Sequence, residues 1–111
     1  MALGDVSYIE LLNKDLTITA TDSQFANSTA NTIVNVINIK MQNHSIDTKR
    51  TVSIYKNTTS VTPLTFLLEP KQFIELTEAN LFLANGQSIS FKQDIGTDCS
   101  VIVSGYREVI A

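Results

Sequence analysis

The stretch LFLANGQSISF, residues 81–91, decides how the rest of the chain is read. Apolar residues take every second place on either side of Asn85-Gly86, with Leu81 and Leu83 before the pair and Ile89 and Phe91 after it. Strict alternation is the period of a half-buried strand. Asn-Gly supplies the positive φ that a type I′ turn needs at both central residues. The stretch therefore predicts a β-hairpin, and nothing reactive stands beside its turn.

The same period continues in both directions. TIVNVINIKMQN (32–43) sets Ile33, Ile37, Ile39 and Met41 on one face and Asn38, Lys40 and Gln42 on the other. Val34 and Val36 break that alternation, so either both faces are covered near the strand's start or a bulge shifts it. TVSIYK (51–56) turns Val52 and Ile54 inward against Thr51, Ser53 and Tyr55. VTPLTFLLE (61–69) gives Leu64, Phe66 and Leu68 a common face, and Pro63 marks the strand's beginning or an edge. CSVIVSGYREVI (99–110) reads as a final long strand in which Gly105 marks a bulge or a close backbone approach.

LTITA (16–20) alternates as a short strand, and DSQFANSTAN (22–31) reads as a small-polar loop. HSIDTK (44–49), NTTS (57–60) and DIGTD (94–98) are turn material. Between Glu69 and Gly86, Pro70 in front and Gly86 behind fit a helix. Against that, Ile74 and Leu76 alternate with Glu75 and Thr77, and helical spacing from Phe73 puts Asn80 on the apolar side. The segment is read as strands at 72–77 and 81–84.

Residues 1–14, with Val6, Ile9, Leu11 and Leu12, fit a short helix or a first strand. They are read as an N-terminal arm or first element ahead of a single domain over 15–111. Strands recurring about every 8 to 15 residues without helices between them predict an all-β fold. The expected architecture is an antiparallel β-sandwich, jelly-roll or Ig-like, of seven or eight strands with an N-terminal arm.

The chain has 111 residues, enough for one domain with a core of its own. Its net charge is −3, from 8 basic and 11 acidic residues, with no basic cluster beyond Lys49-Arg50. Neutralising phosphates needs a basic patch, so nucleic acid is not an expected partner. No apolar run reaches membrane length, so no membrane partner is expected either. The opening MALGDVSYIELLNKD has acidic Asp5 and Glu10 where a secretory signal has a basic start and an apolar centre. Cys99 is the only cysteine, so no internal disulfide forms and maturation in a reducing compartment is expected. Its setting, CSVIV, reads as a buried strand thiol rather than a reactive one.

Each candidate for chemistry has a plainer reading. His44 is the only histidine and lies in a polar turn, and no G-x-S-x-G motif supports a serine triad. One His and one Cys do not furnish a transition-metal site. Asp94 and Asp98 could offer carboxylates to Ca²⁺ but lack an EF-hand's other ligands, and Asp is common in turns. Glu75 and Glu78 would point apart on a strand rather than pair as two acids. Four glycines leave no phosphate-cradling loop. Asn27-Ser28-Thr29, Asn43-His44-Ser45 and Asn57-Thr58-Thr59 match the glycosylation sequon, as expected by chance in a chain this rich in Asn, Ser and Thr. No cofactor, metal or catalytic residue is therefore assigned. A sugar-binding face would use an exposed aromatic, and Tyr55 is the one to test; cross-strand packing is its plainer role. Tyr8, Ile9 and Tyr55 are the candidate interaction residues.

Across residues 32–110 the succession of segments resembles the small β-sandwich virion proteins of tailed bacteriophages, the decoration, head-fibre and tail accessory type. Their pattern runs I-x-I-x-x-x-N, V-x-I-Y/W, L-x-P, L-x-L-x-x-G-D/Q-x-I and V-x-V-S-G-x-E. The matching residues are Ile37, Ile39 and Asn43; Val52, Ile54 and Tyr55; Leu68 and Pro70; Leu81, Leu83, Gly86 and Ile89; and Val101, Val103, Ser104, Gly105 and Glu108. Gln87 departs from the more frequent Asp, and residues 1–31 lie outside the pattern. The resemblance implies a non-enzymatic capsid-associated protein, made in the host bacterial cytoplasm and resident on the virion. Its implied partners are the major capsid protein or other virion proteins, and copies of itself. A glycan-binding module, or a tail or neck accessory protein, is the alternative.

Overall fold

A computed structural model of the chain describes residues 9–19, 22–56, 64–77 and 81–109. Nine strands run through them: β1 (Ile9–Asp15), β2 (Gln24–Ala26), β3 (Thr32–Asn43), β4 (Arg50–Lys56), β5 (Leu64–Leu68), β6 (Phe73–Leu76), β7 (Leu81–Ala84), β8 (Ser88–Gln93) and β9 (Cys99–Val109). They form two antiparallel sheets. One has five strands in the order β1-β9-β3, with β6 and β7 both on the far side of β3; the other runs β2-β8-β4-β5. Val34, Val36, Ile39, Met41, Val101 and Val103 from the first sheet and Val52, Ile54, Leu68, Ile89 and Phe91 from the second are buried in one core. Burying such a side chain contributes about 1.5–3 kcal/mol, which is what holds the layers together. The all-β antiparallel sandwich expected from the periodicity is present, with nine strands rather than seven or eight.

The expected hairpin at 81–91 is not. β7 pairs with β3 in the five-stranded sheet, Val34 opposite Leu83 and Val36 opposite Leu81. β8 lies between β2 and β4 in the other sheet. Asn85-Gly86 is therefore a corner at which the chain changes layer. The Gln87 amide donates to the Ala84 carbonyl at 2.9 Å. Gly86 has φ 91° while Asn85 is not in the left-handed region, the type II pattern rather than type I′. Asn27, just past β2, takes the place of a hairpin partner: its carbonyl accepts from Gly86 N at 2.8 Å and its amide donates to Gln87 O at 2.9 Å. Leu83 and Ile89 thus enter the core from opposite layers, which the alternation of a hairpin would have mimicked residue for residue.

In β3 the bulge reading holds. The register against β9 slips between Val36 and Asn38, leaving Ile37 as the extra residue. The slip puts Val34, Val36, Ile39 and Met41 on the core face, and Ile33 and Ile37 are only half-buried. A second slip lies in β1 between Glu10 and Leu12. Both sit beside Ser104 of β9, the strand between them: the β3 slip falls opposite Gly105 and Ser104, the β1 slip opposite Ser104 and Val103. A Cβ built on Gly105 would run into the backbone carbonyl oxygen of Asn35 and lie 3.1 Å from the Val36 Cα. Gly105 is thus the close-approach residue, and the bulges belong to its neighbours.

Several boundaries differ from expectation. Residues 9–14 of the expected arm belong to β1, an edge strand; residues 1–8, Tyr8 among them, lie outside the described residues. Residues 16–19 form no strand, although Leu16 is fully buried and its amide donates to Cys99 O at 2.8 Å. The expected loop at 22–31 contains β2, a three-residue edge held by backbone pairing to β8. In β5, Leu68 and Phe66 turn inward, but Leu64 at the end of the edge is exposed. Strands 72–77 and 81–84 appear as β6 and β7. The expected turn at 57–60 and Pro63 lie outside the described residues.

Candidate functional site

Two surface features stand out from this frame. The first is a groove on the outer face of the five-stranded sheet. β6 pairs with β3 from Ile39 to Gln42 and β7 pairs with it from Ile33 to Val36. At Ile37 and Asn38, where the bulge sits, neither strand reaches β3. An open groove of about 520 Å³ lies there across β6, β3 and β9, lined by Ile37, Asn38, Lys40, Glu75, Thr77, Ile102 and Ser104. Asn38 Nδ2 donates to Glu75 Oε2 at 2.8 Å. Lys40 stands opposite Glu75 in the ladder, yet its Nζ lies 5.9 Å from the centre of the Phe73 ring instead.

The second feature is the end of the sandwich where β3 finishes. Four loops meet there, tied by backbone hydrogen bonds: His44 N to Asp98 O at 2.8 Å, Lys71 N to Ser45 O at 3.1 Å, Asp94 N to Thr51 O at 3.0 Å and Gln93 N to Thr17 O at 2.9 Å. Arg50 grips Asp98 with two nitrogens, Nε to Oδ1 at 2.9 Å and Nη2 to Oδ2 at 3.1 Å. Gln93 Nε2 donates to Asp98 Oδ1 at 2.9 Å, and Gln93 Oε1 accepts from Cys99 N at 2.8 Å. The Arg50 hydrogen bond, with that of Gln93 behind it, holds the Asp98 carboxyl below the usual carboxylate range. From this braced end project Ile18, Ile46 and Ile95, 61, 78 and 66% exposed.

The candidates from sequence fall into separate places. Tyr55 is half-buried on the outer face of the four-stranded sheet, opposite Ser90, with Lys92 Nζ 5.7 Å from its ring centre. That is the cross-strand packing role. Ile9 opens β1 and is 46% exposed, on the other sheet from Tyr55, so the two do not form one surface. His44 Nε2 and Ser100 Oγ lie 2.7 Å apart in an exposed hydrogen bond. Cys99 is buried, and that burial pushes its thiol up to about 12, an inert structural sulfur. Asp94 does turn chemistry, its Oδ1 accepting from Ile95 N at 2.9 Å, whereas Asp98 serves the Arg50 ion pair. Glu78 lies outside the described residues. Among the described residues no three His, Cys, Asp or Glu side chains gather to hold a metal.

The sequons at Asn27 and Asn43 are structural. Both side chains are fully buried, and each Nδ2 is committed to backbone carbonyls, Leu83 O and Thr32 O for Asn27, Thr48 O and Leu68 O for Asn43. Asn57 lies outside the described residues. The groove itself went unread in the sequence. Its polar residues look like an ordinary solvated strand face, and only the doubtful alternation at Val34 and Val36 hinted at the bulge that opens it.

No protein-family model matches this chain, and no curated protein matches it. Among solved structures it is similar to an exo-beta-1,3-galactanase from Phanerochaete chrysosporium, determined with galactose, at 15% identity and a TM-score of 0.41. The likeness covers 92% of this chain and 30% of the galactanase chain.

Proposed function

We propose that the chain is a non-enzymatic structural protein of a tailed-phage particle, a decoration or auxiliary protein held on the capsid by shape complementarity. The observation that carries this reading is the braced loop end with its three projecting isoleucines. Apolar tips left in water gain from being covered. Loops already tied by Arg50, Asp98 and Gln93 lose little freedom when they dock, so more of the contact energy appears as affinity. A rigid end of this kind suits a contact repeated identically over a lattice. The resemblance across residues 32–110 supports reading that lattice as a phage capsid, on which copies of the chain would sit side by side. The protein would be made in the host cytoplasm and reside on the virion.

The test is sedimentation of a phage lysate through a density gradient, with the protein followed by mass. Migration with intact particles is expected. The double variant Ile46→Asp/Ile95→Asp should leave the melting temperature within a few degrees of the parent while releasing the protein to the top of the gradient. Free migration of the parent protein sinks the reading. Particle association that survives the double variant removes the loop end from it.

A further inference from the structure

We propose that the groove over β6, β3 and β9 binds a neutral sugar ring. This inference goes beyond the particle reading and does not rest on it. The volume, about 520 Å³, lies within the roughly 300–1,000 Å³ usual for small-ligand sites. Its lining combines two aliphatic side chains, Ile37 and Ile102, with an amide, an ammonium, a carboxylate and the two hydroxyls of Thr77 and Ser104. That is the surface complementary to a pyranose, which presents a C–H face beside a rim of hydroxyls.

The charges narrow the choice of ligand. Lys40 and Glu75 face one another across the ladder, but the structure joins neither to the other. Lys40 turns to the Phe73 ring and Glu75 to the Asn38 amide, so both heads flank the groove with bonding capacity left over. One positive and one negative charge give the groove no net sign. A phosphate or sulfate that approached Lys40 would meet Glu75, and a cation that approached Glu75 would meet Lys40. A flat hydrocarbon would strip water from both heads and return no hydrogen bond. Neighbouring hydroxyls suit the pair: one donates to the Glu75 carboxylate while the next accepts from the Lys40 ammonium. Asn38 already fixes the Glu75 carboxylate at 2.8 Å, which lowers the cost of ordering it. Tyr55, on the other sheet, takes no part.

The experiment is an NMR titration of the full chain with maltotriose, cellotriose, chitotriose and β-1,3-galactobiose, with glucose 6-phosphate as the charged comparison. Saturable shifts of the Ile37, Asn38 and Ser104 amides with at least one neutral saccharide are expected. Glu75→Gln and Asn38→Ala should each raise Kd about tenfold, while Tyr55→Ala leaves it unchanged. Unaltered thermal melting of the variants keeps a folding defect apart from lost contacts. Absence of saturable shifts with all four saccharides overturns the proposal. So does binding that is lost in Tyr55→Ala and kept in Glu75→Gln, or tighter binding of the phosphorylated sugar.

Discussion

The two ends of the sandwich solve one problem by different means. At each, a fully buried asparagine clips one sheet to the other. Asn27, beyond β2 of the four-stranded sheet, donates to Leu83 O of β7 at 2.9 Å and to Thr32 O at 3.2 Å, and its Oδ1 accepts from Thr29 N and Thr32 Oγ1, both at 3.2 Å. Asn43, closing β3 of the five-stranded sheet, donates to Thr48 O at 2.7 Å and Leu68 O at 3.2 Å and accepts from Ser45 N at 2.9 Å. The Asn43 end adds the Arg50–Asp98–Gln93 network, whereas the hydrogen bonds at the Asn27 clip join uncharged groups. A neutral amide is enough to lock the layers, and the ionic network serves the loops beyond the lock. The contrast separates what keeps the fold from what shapes the docking end.

Gly105 lies between the ends and provides the largest expected effect. Gly105→Ala drives a Cβ into the Asn35 carbonyl, so β3 and β9 must separate, lowering stability by about 3 kcal/mol or more. Urea unfolding reads the loss, and hydrogen exchange should rise at both ends alike. Asn43→Ala and Asn27→Ala should each cost about 2–4 kcal/mol, because buried carbonyls lose their donor. Here the exchange should rise at one end only. If either variant loosens both ends equally, the clips are not independent.

The pH dependence should belong to one end. Asp98 is held below its unfolded pKa, so its contribution is present above the unfolded value and is lost as pH falls through the folded one. Stability followed by urea midpoint should therefore drop on the acid side of about pH 4, with the 44–49 and 94–98 loops opening first. Asp98→Asn should flatten that acid limb and leave the Asn27 end untouched. The smallest effect is at two backbone positions in the left-handed region, Asn31 with φ 59° and Lys71 with φ 65°. Asn tolerates that conformation and Lys does not. Lys71→Gly should thus raise stability by about 0.5 kcal/mol by thermal melting, while Asn31→Gly should change it by less.

Most of the strands were legible in the sequence because alternation survives whatever partner a strand takes. β3, β4, β6, β7, β8 and β9 lie where it put them. What alternation does not encode is the partner itself. Leu83 and Ile89 need only be apolar and in phase to serve as a hairpin or as two layers, and Asn85-Gly86 accommodates either turn. The outcome rests on Asn27, distant in sequence, offering its backbone to the corner. β2 escaped notice because QFA is three residues long, too short to show an alternation, and only the ladder to β8 and the packing of Phe25 on the core make it a strand. Leu16 read as a strand residue because LTITA alternates, although it sits in a loop and is buried there. The groove was illegible for a related reason: it is made by side chains of three strands, β6, β3 and β9, that only the sheet brings together, and no residue in it is unusual by itself.

The order of strands in the larger sheet also sets when that sheet can exist. β9, ninth along the chain, lies between β1 and β3, and Ile9 pairs with Gly105 across nearly the whole sequence. A ribosome that has made β1 through β8 has therefore made a sheet with its middle missing. β1 lacks the strand it pairs with, and one edge of β3 lacks its longest hydrogen-bonding partner. Pairings of this span form late and slowly, since the chain must close its longest loop before any contact offsets the lost entropy. Folding must wait for synthesis to pass Val109, and until then the nascent chain exposes hydrophobic surface for chaperones to cover.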